Sequence, residues 1–484
     1  MSRVDVAGHT VSTEHYIGGR RVGSAAAFED HSPIDGALLA EVARGDAATA
    51  DAAITAAAEA FPAWAALGPA GRAPYLHRLA DLIDEHVDCI AEVECRDMAM
   101  LERSLKARVI GRGARNFRAY ADLAVAYEER VWESNGTVNR VVRDPSGPAV
   151  VITPWNAPFM LSTWKCAPAL AAGCTVVLKP AEWSPLSCSM LFDLVDKAGF
   201  PPGVFNLVQG IGEEVGPALT GDPRVRRLSF TGSPETARII GRAGAENIVP
   251  FTAELGGKNP FLVFEDADLD AAAAKAALQY DDAGQVCLSG TRLLVHEGVV
   301  DAFLERFHAN VDAQVLGDPR EESTTISPLI HPDHLARVAG FVDRARAAGD
   351  EIVRGGRQPE LGGLWYEQTL IRPRSNDSEV VQHEIFGPVL TLQTFATEDE
   401  AVALANSTAY GLSAIVFTGD AARADRVGRA VRAGTLWVNC FLVRDLTAPF
   451  GGAGISGIGR EGGDYALDFY SDLKTLQILD GTVA

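Results

Sequence analysis

The run Tyr280 to Gly290, YDDAGQVCLSG, sets Cys287 in polar, flexible surroundings, with two acids and a Gly before it and Ser-Gly after it. A structural cysteine usually sits among apolar neighbours, where it behaves as a small hydrophobe. Cys287 therefore either caps an ordinary turn or presents its sulfur to a reactant as a nucleophile. Glu254 ends the apolar run FTAEL and precedes Leu-Gly-Gly. A carboxylate at a strand end beside a flexible loop suits proton transfer, and partial burial would lift its pKa toward neutrality. A buried structural glutamate is the alternative. In PWNAPF, Asn156 lies between prolines that stiffen its loop, as a fixed amide donor to a developing oxyanion requires. An Asn turn would also account for it.

A nucleophile, a base and an amide donor need a scaffold. From Ala149 the chain alternates apolar runs (AVVIT, CTVVLK, GVFNLV, RRLSFT, FTAEL) with helical stretches such as SPLSCSMLFDLVDKAG and SPETARIIGRAGAE. Strand, helix, strand at this spacing predicts an α/β protein with a parallel, Rossmann-like sheet. Such a sheet binds nucleotides where a strand turns into a helix. GIGEEVG (Gly210, Gly212, Gly216) and FTGSPETA (Phe230, Gly232, Ser233, Ala237) occupy such turns, where small residues let helix N–H groups approach an anion. Neither is the G-x-G-x-x-G fingerprint, and tight turns explain such glycines equally. In KPAE, Lys179 and Glu182 follow a strand end; they are placed either to bond ribose hydroxyls or to form a solvated salt bridge.

The first third reads as helical, with a helix capped by Asp46, a continuing periodic stretch from Gly71 to Met98, and another helix over Ser104 to Ala126. Asn135-Gly136 between two β-rich runs predicts a hairpin. NPFLVFEDADLDAAAAKAAL opens a second α/β unit that runs to about Thr435. YSDLKTLQIL is a last strand that needs a sheet to join, and the hairpin of another subunit is one candidate.

At 484 residues, two or three domains are expected. Seven cysteines at irregular spacing, with no C-x-x-C, speak against a disulfide framework or zinc site. Free thiols suit a reducing cytoplasm. The N-terminus has no signal-peptide core and no apolar run reaches membrane-spanning length. A formal charge of −21 argues against nucleic acid and anionic membranes as partners. An anionic substrate would need local cations.

Taken together, PWNAPF, KPAE, FTGS, ELGGKNP, GQVC, EIFGPV and PFGG...SGIGREGG come in the order and spacing of the NAD(P)-dependent aldehyde dehydrogenase superfamily, which the chain resembles over nearly its whole length. The resemblance implies NAD as cofactor and a small-molecule aldehyde as substrate. It gives Cys287 the role of thiolate nucleophile and Asn156 that of oxyanion donor together with the Cys287 N–H. Glu254 would activate the hydrolytic water, with Lys165 near that base. Lys179 and Glu182 would take the adenine ribose, Gly212 and Ser233 the adenosine and pyrophosphate, and Glu384 and Phe386 the nicotinamide ribose. Thr153, Pro154, Trp155, Gly216, Phe230, Gly232 and Leu255 would complete the cofactor site. Trp164 would line the substrate tunnel.

The resemblance also implies a cofactor domain (1–127 and 146–255), a catalytic domain (256–445) and a small oligomerisation sheet (128–145 and 466–484) of a homodimer or homotetramer. Two departures stand out: Ala237 where the family usually has Gly, expected to narrow the pyrophosphate approach, and Gly454 where it often has Lys. FLVRDLTAPFGG with Arg444, and RGARNF with Arg112, are similar to the branch acting on hydroxymuconate and aminomuconate semialdehydes. Both arginines would then hold a substrate carboxylate, unless they pair with local acids such as Asp445. A broad enzyme for neutral aldehydes is the alternative. A CoA-acylating enzyme would have no use for Glu254, and a non-catalytic relative would be expected to lose Cys287, Glu254 or Asn156.

Overall fold

The structure, a computed structural model, describes residues 2–479. Two mixed sheets carry most of it. The first has eight strands, and its centre is the parallel set Phe251–Leu255, Arg227–Gly232, Pro148–Ile152, Thr175–Lys179 and Phe205–Leu207. These are the apolar runs expected to be strands. They are apolar throughout because helices cover both faces of a parallel sheet. Helices Pro158–Ala172 and Leu186–Ala198 lie in the apolar cluster with Phe159, Leu170, Leu178 and Phe205. Helices Ala47–Ala66 and Pro234–Glu246 lie with Ile54, Val150, Phe230 and Ile240 in another.

The second sheet has seven strands, from Glu351–Arg354 at one edge to Thr435–Val438 at the other, with Pro260–Val263 and Arg292–His296 near its centre. It is parallel except for its Glu351–Arg354 edge.

The Asn135-Gly136 hairpin forms as expected between Arg130–Ser134 and Thr137–Pro145, with φ of 52° and 73° at the two turn residues, as a two-residue turn of this kind demands. The last strand, Ser471–Leu479, pairs with Thr137–Pro145 of the same chain, not with another subunit's hairpin. Residues 480–484 of the expected oligomerisation sheet lie outside the described residues.

The helical reading of the first third holds from Asp46, whose carboxylate accepts from the Thr49 N–H. It fails before that: six short strands occupy Arg3–Val6 through Leu38–Ala43. The periodic stretch after Gly71 breaks at His86 into two helices, Gly68–Glu85 and Val87–Met98. The helix expected from Ser104 carries a π-turn over Leu105–Val109 before Ile110–Ala126.

Candidate active site

Cys287 stands between the two sheets, in a loop that is held rather than free. Before it, Asp282 and Ala283 adopt left-handed φ of 52° and 55°. At Gly284 an added Cβ would collide with the Gly387 carbonyl, so only glycine lets this loop pack against the one carrying Glu384 and Phe386. The Asn259 side chain donates to the carbonyls of Cys287 (2.8 Å) and Ser289 (2.9 Å). The Gln285 amide oxygen accepts from the Ile330 N–H at 3.0 Å. Strain of this kind persists only where surrounding bonds over-determine it.

Asn156 is tied to the same loop. Its Nδ2 donates to the Gln285 carbonyl at 2.9 Å, which leaves the second amide hydrogen for another acceptor. Cys287 is partly exposed. Burial, then the nearby charges of Glu384 and Glu254, push its thiol up to about 12, with Arg444 acting in the opposite sense. The resting thiol is therefore protonated near neutrality, and a base must take its proton.

Glu254 is the penultimate residue of its strand, registered against Thr231 on one side and Gly457 on the other. It is buried, and neither carboxylate oxygen has a hydrogen-bond partner among the described residues. Burial, and then Glu461, raise its pKa well above the ordinary carboxylate range, while Lys165, Arg460 and Arg444 oppose the shift. From helix Pro158–Ala172, Trp164 Nε1 donates to Glu461 Oε2 at 2.6 Å, and Lys165 Nζ pairs with Glu461 Oε1 at 2.5 Å and reaches Ser229 Oγ at 3.2 Å. Lys165 is thus ion-paired to Glu461 beside Glu254. Trp164 has its indole N–H occupied and a ring face free for other contacts.

Two cations meet that ring. The guanidinium carbons of Arg112 and Arg444 each lie 5.6 Å from the Trp164 ring, and Arg444 lies 3.6 Å from Phe450. Neither guanidinium forms an ion pair or hydrogen bond among the described residues, so the alternative of pairing with Asp445 is overturned. Asp445 instead accepts from the backbone N–H and hydroxyl of Thr447, both at 2.8 Å. Burial and mutual repulsion lower Arg112 to about 10, which leaves it charged at neutral pH.

The remaining residues surround the ends of the first sheet's parallel strands. Lys179 Nζ donates to Glu182 Oε2 at 2.8 Å. Burial opposes ionisation of Glu182, but Lys179 outweighs it and holds the carboxyl below its usual range. Gly212 opens helix Gly212–Thr220, and a Cβ there would stand 3.7 Å from Lys179 Nζ and 3.8 Å from Glu182. Gly216, a turn further on, has nothing within 4 Å of such a Cβ. Ser233 caps helix Pro234–Glu246, accepting from the Thr236 N–H. Gly232 sits against the Phe230 ring. The methyl of Ala237 is buried in the cluster with Phe230 and Val215. Leu255 is buried in that cluster. Thr153 and Pro154 lead into the Asn156 loop, with Thr153 Oγ1 2.9 Å from Ser162 Oγ. Trp155 packs edge-on to Phe386, centroids 5.3 Å apart. Glu384 accepts from the Gly257 N–H at 2.9 Å, and burial lifts its pKa to about 7.

Residues 21–476 match the aldehyde dehydrogenase family model. The chain belongs to the aldehyde dehydrogenase family. It is 40% identical, over 96% of its length and 98% of the relative's, to the 2-hydroxymuconic semialdehyde dehydrogenase of Pseudomonas sp. (strain CF600). It is 37% identical, over 98% of each chain, to a betaine aldehyde dehydrogenase of Cereibacter sphaeroides. Among solved structures, Staphylococcus aureus betaine aldehyde dehydrogenase in complex with NAD+ superposes with a TM-score of 0.95 at 35% identity, covering 98% of this chain and 96% of that one.

As an aldehyde dehydrogenase the chain is an oxidoreductase acting on aldehydes, and this directs attention to three residues that sequence reasoning passed over. Glu461 joins Trp164 and Lys165 beside Glu254, and its only signal was a lone acid in the glycine-rich run SGIGREGG. Asn259 and Gln285, which hold the cysteine loop, lie inside the quoted motifs ELGGKNP and GQVC. Their partners are backbone carbonyls and amides that no side-chain pattern reveals.

Proposed function

We propose that this aldehyde dehydrogenase oxidises a carboxylate-bearing semialdehyde, of the 2-hydroxymuconate type, to the acid with NAD, through a thioester on Cys287. The carrying observation is the pair Arg112 and Arg444, two unpaired cations over one tryptophan, with Arg444 within electrostatic reach of Cys287 and Glu254. A chain of charge −21 repels anions at long range, and unpaired arginines gain from a carboxylate that their planar forks can bind bidentately. The same two cations weigh against a cationic aldehyde, despite similarity to betaine aldehyde dehydrogenases.

The cofactor fits these residues. The Lys179–Glu182 pair beside Gly212 offers a carboxylate to ribose hydroxyls, the Ser233 turn offers helix N–H groups to phosphates, and Glu384 with Phe386 would take the second ribose. NAD, when bound, supplies the oxidant. The protein's own part begins with loss of the Cys287 thiol proton to water, Arg444 being the nearby charge that favours the thiolate, and the sulfur adds to the aldehyde carbon to give a thiohemiacetal. The free Asn156 N–H and the Cys287 N–H would stabilise its oxyanion. After oxidation, Glu254 draws a proton from water, which attacks the thioester and releases the acid. The first sheet would be the core of the NAD-binding domain and the second that of the catalytic domain. The three-stranded sheet, with Val131, Leu473 and Leu479 exposed, would be the interface of a homodimer or homotetramer. Among the described residues no helix is long and apolar enough to cross a membrane, and the free thiols suit the cytoplasm.

Each charge-assisted contact to the substrate carboxylate contributes about 1.5–3 kcal/mol, or roughly ten- to a hundredfold in kcat/KM. Arg112→Ala and Arg444→Ala should each penalise a muconate-type semialdehyde by that factor and leave a neutral aliphatic aldehyde nearly unaffected. Equal losses on both substrates would make the arginines structural. A wild-type preference for the neutral aldehyde would overturn the substrate class.

A second expectation concerns the cofactor. The Glu182 carboxylate would repel a 2′-phosphate, so kcat/KM should favour NAD over NADP, and Glu182→Gln should narrow the gap. Equal use of the two cofactors by the wild type would contradict this placement.

A further inference from the structure

Lys258, in ELGGKNP, is 1% exposed, and its ammonium has no hydrogen-bond partner among the described residues. A buried cation without a partner destabilises a fold, so its position calls for a use. Lys258 and Glu384 line one cavity of about 10 Å³, with Gly257, Gly284, Val286, Ser289 and Thr291 among the other walls. That volume holds a single water. The hydroxyl of Thr291 in the same wall is likewise buried and unpartnered. The segment leading to Lys258 is shaped around Glu384: a Cβ at Gly256 would overlap the Glu384 carboxylate, and the Gly257 N–H donates to it.

We propose that Lys258 is a positioning residue for cofactor binding, a buried counter-charge that keeps the Glu384 carboxylate ionised and aimed at the nicotinamide ribose. The inference rests on the reading of Glu384 as a ribose ligand. The electrostatics agree with the geometry. Burial lowers Lys258 to about 7, Arg292 pushes the same way and Glu384 opposes. Burial raises Glu384 to about 7, and Gly257, Lys258 and Arg337 oppose, with Glu235 adding to the rise. Tyr410 and Cys287 also face Glu384. Each of the two partners thus holds the other nearer its charged form. A carboxylate accepts both ribose hydroxyls as charge-assisted bonds, whereas a carboxylic acid must spend a donor.

The test is NAD binding to the full-length protein by titration calorimetry without aldehyde, from about pH 6 to about pH 9, so that Glu384 is followed through its titration. In the wild type, affinity should rise with pH through about 7 as Glu384 loses its proton. In Lys258→Met the rise should move to higher pH, with affinity near neutrality about tenfold weaker. Lys258→Arg should restore the wild-type profile, and Lys258→Met should add nothing in a Glu384→Gln background. A Lys258→Met profile identical to wild type would overturn the proposal. So would a loss of affinity that accompanies a lower melting temperature and leaves the pH profile unmoved. If Glu384→Gln alone leaves NAD binding unchanged, the ribose role of Glu384 falls and the proposal with it, whereas Glu384→Gln weakening with Lys258→Met silent removes only the role of Lys258.

Discussion

Cys287→Ala is expected to lose aldehyde oxidation by a factor on the order of 10⁴ or more while binding NAD as the wild type does. The loss is large because Cys287 forms the covalent intermediate. Cys166 and Cys188 offer no substitute, being fully buried in the first sheet's core. NAD binding should survive because the Lys179–Glu182 pair and the Gly212 helix terminus belong to the first sheet, whereas Cys287 precedes strand Arg292–His296 of the second. Steady-state NADH production and calorimetric NAD binding are the two measurements. Substantial turnover by the variant would remove Cys287 from the mechanism. Loss of NAD binding would mean that the substitution had disturbed the fold.

The second large effect concerns the base. Glu254→Gln should slow steady-state turnover by roughly 10²- to 10⁴-fold, with a first burst of NADH if hydrolysis is the step that suffers. Unchanged steady-state turnover would mean that another group activates the water. The pH dependence follows from the direction of the shift. Burial and the facing Glu461 hold Glu254 protonated to well above the ordinary carboxylate range. A general base works only when ionised, so turnover in the wild type should climb with pH through that raised value, and Glu254→Gln should lose this inflection. Glu461→Gln, which removes the repelling charge, should move the inflection to lower pH if the Lys165 contact survives. A wild-type profile that is flat from acid to alkaline pH would argue that Glu254 does not titrate in the rate-limiting step.

What the sequence revealed follows the range of the forces involved. The Asn135-Gly136 turn and the Asp46 cap are local, set by φ preferences and by one side chain reaching a nearby N–H, and both are where expected. The parallel strands are legible because burial on both faces makes them continuously apolar. The strands before Asp46 are only three to six residues long and of mixed composition, from HTVS and AFEDH to LLAEVA, so each is too short for a period to be read. The pairing of Ser471–Leu479 with Thr137–Pro145 joins segments far apart in sequence, and register between distant strands has no local signature.

The site divides in the same way. Cys287, Glu254 and Asn156 could be singled out by residue type and surroundings. The Glu461 bridge to Trp164 and Lys165 is tertiary and needed the fold. So did the choice between Asp445 and a substrate carboxylate as partner of Arg444: two residues in one loop are adjacent in sequence whether or not their side chains meet. Here Asp445 turns to Thr447 and Arg444 to Phe450 and Trp164.

The account turns on a thioester at one cysteine. Glu254→Gln should be mixed with NAD and 2-hydroxymuconate semialdehyde, quenched in acid after the NADH burst, digested and mapped by mass spectrometry. The expected result is the peptide containing Cys287 heavier by the aldehyde less two hydrogens, in amount equal to the NADH released, with the other cysteines unmodified. A burst of NADH with no adduct on Cys287, or an adduct on another cysteine, would contradict it.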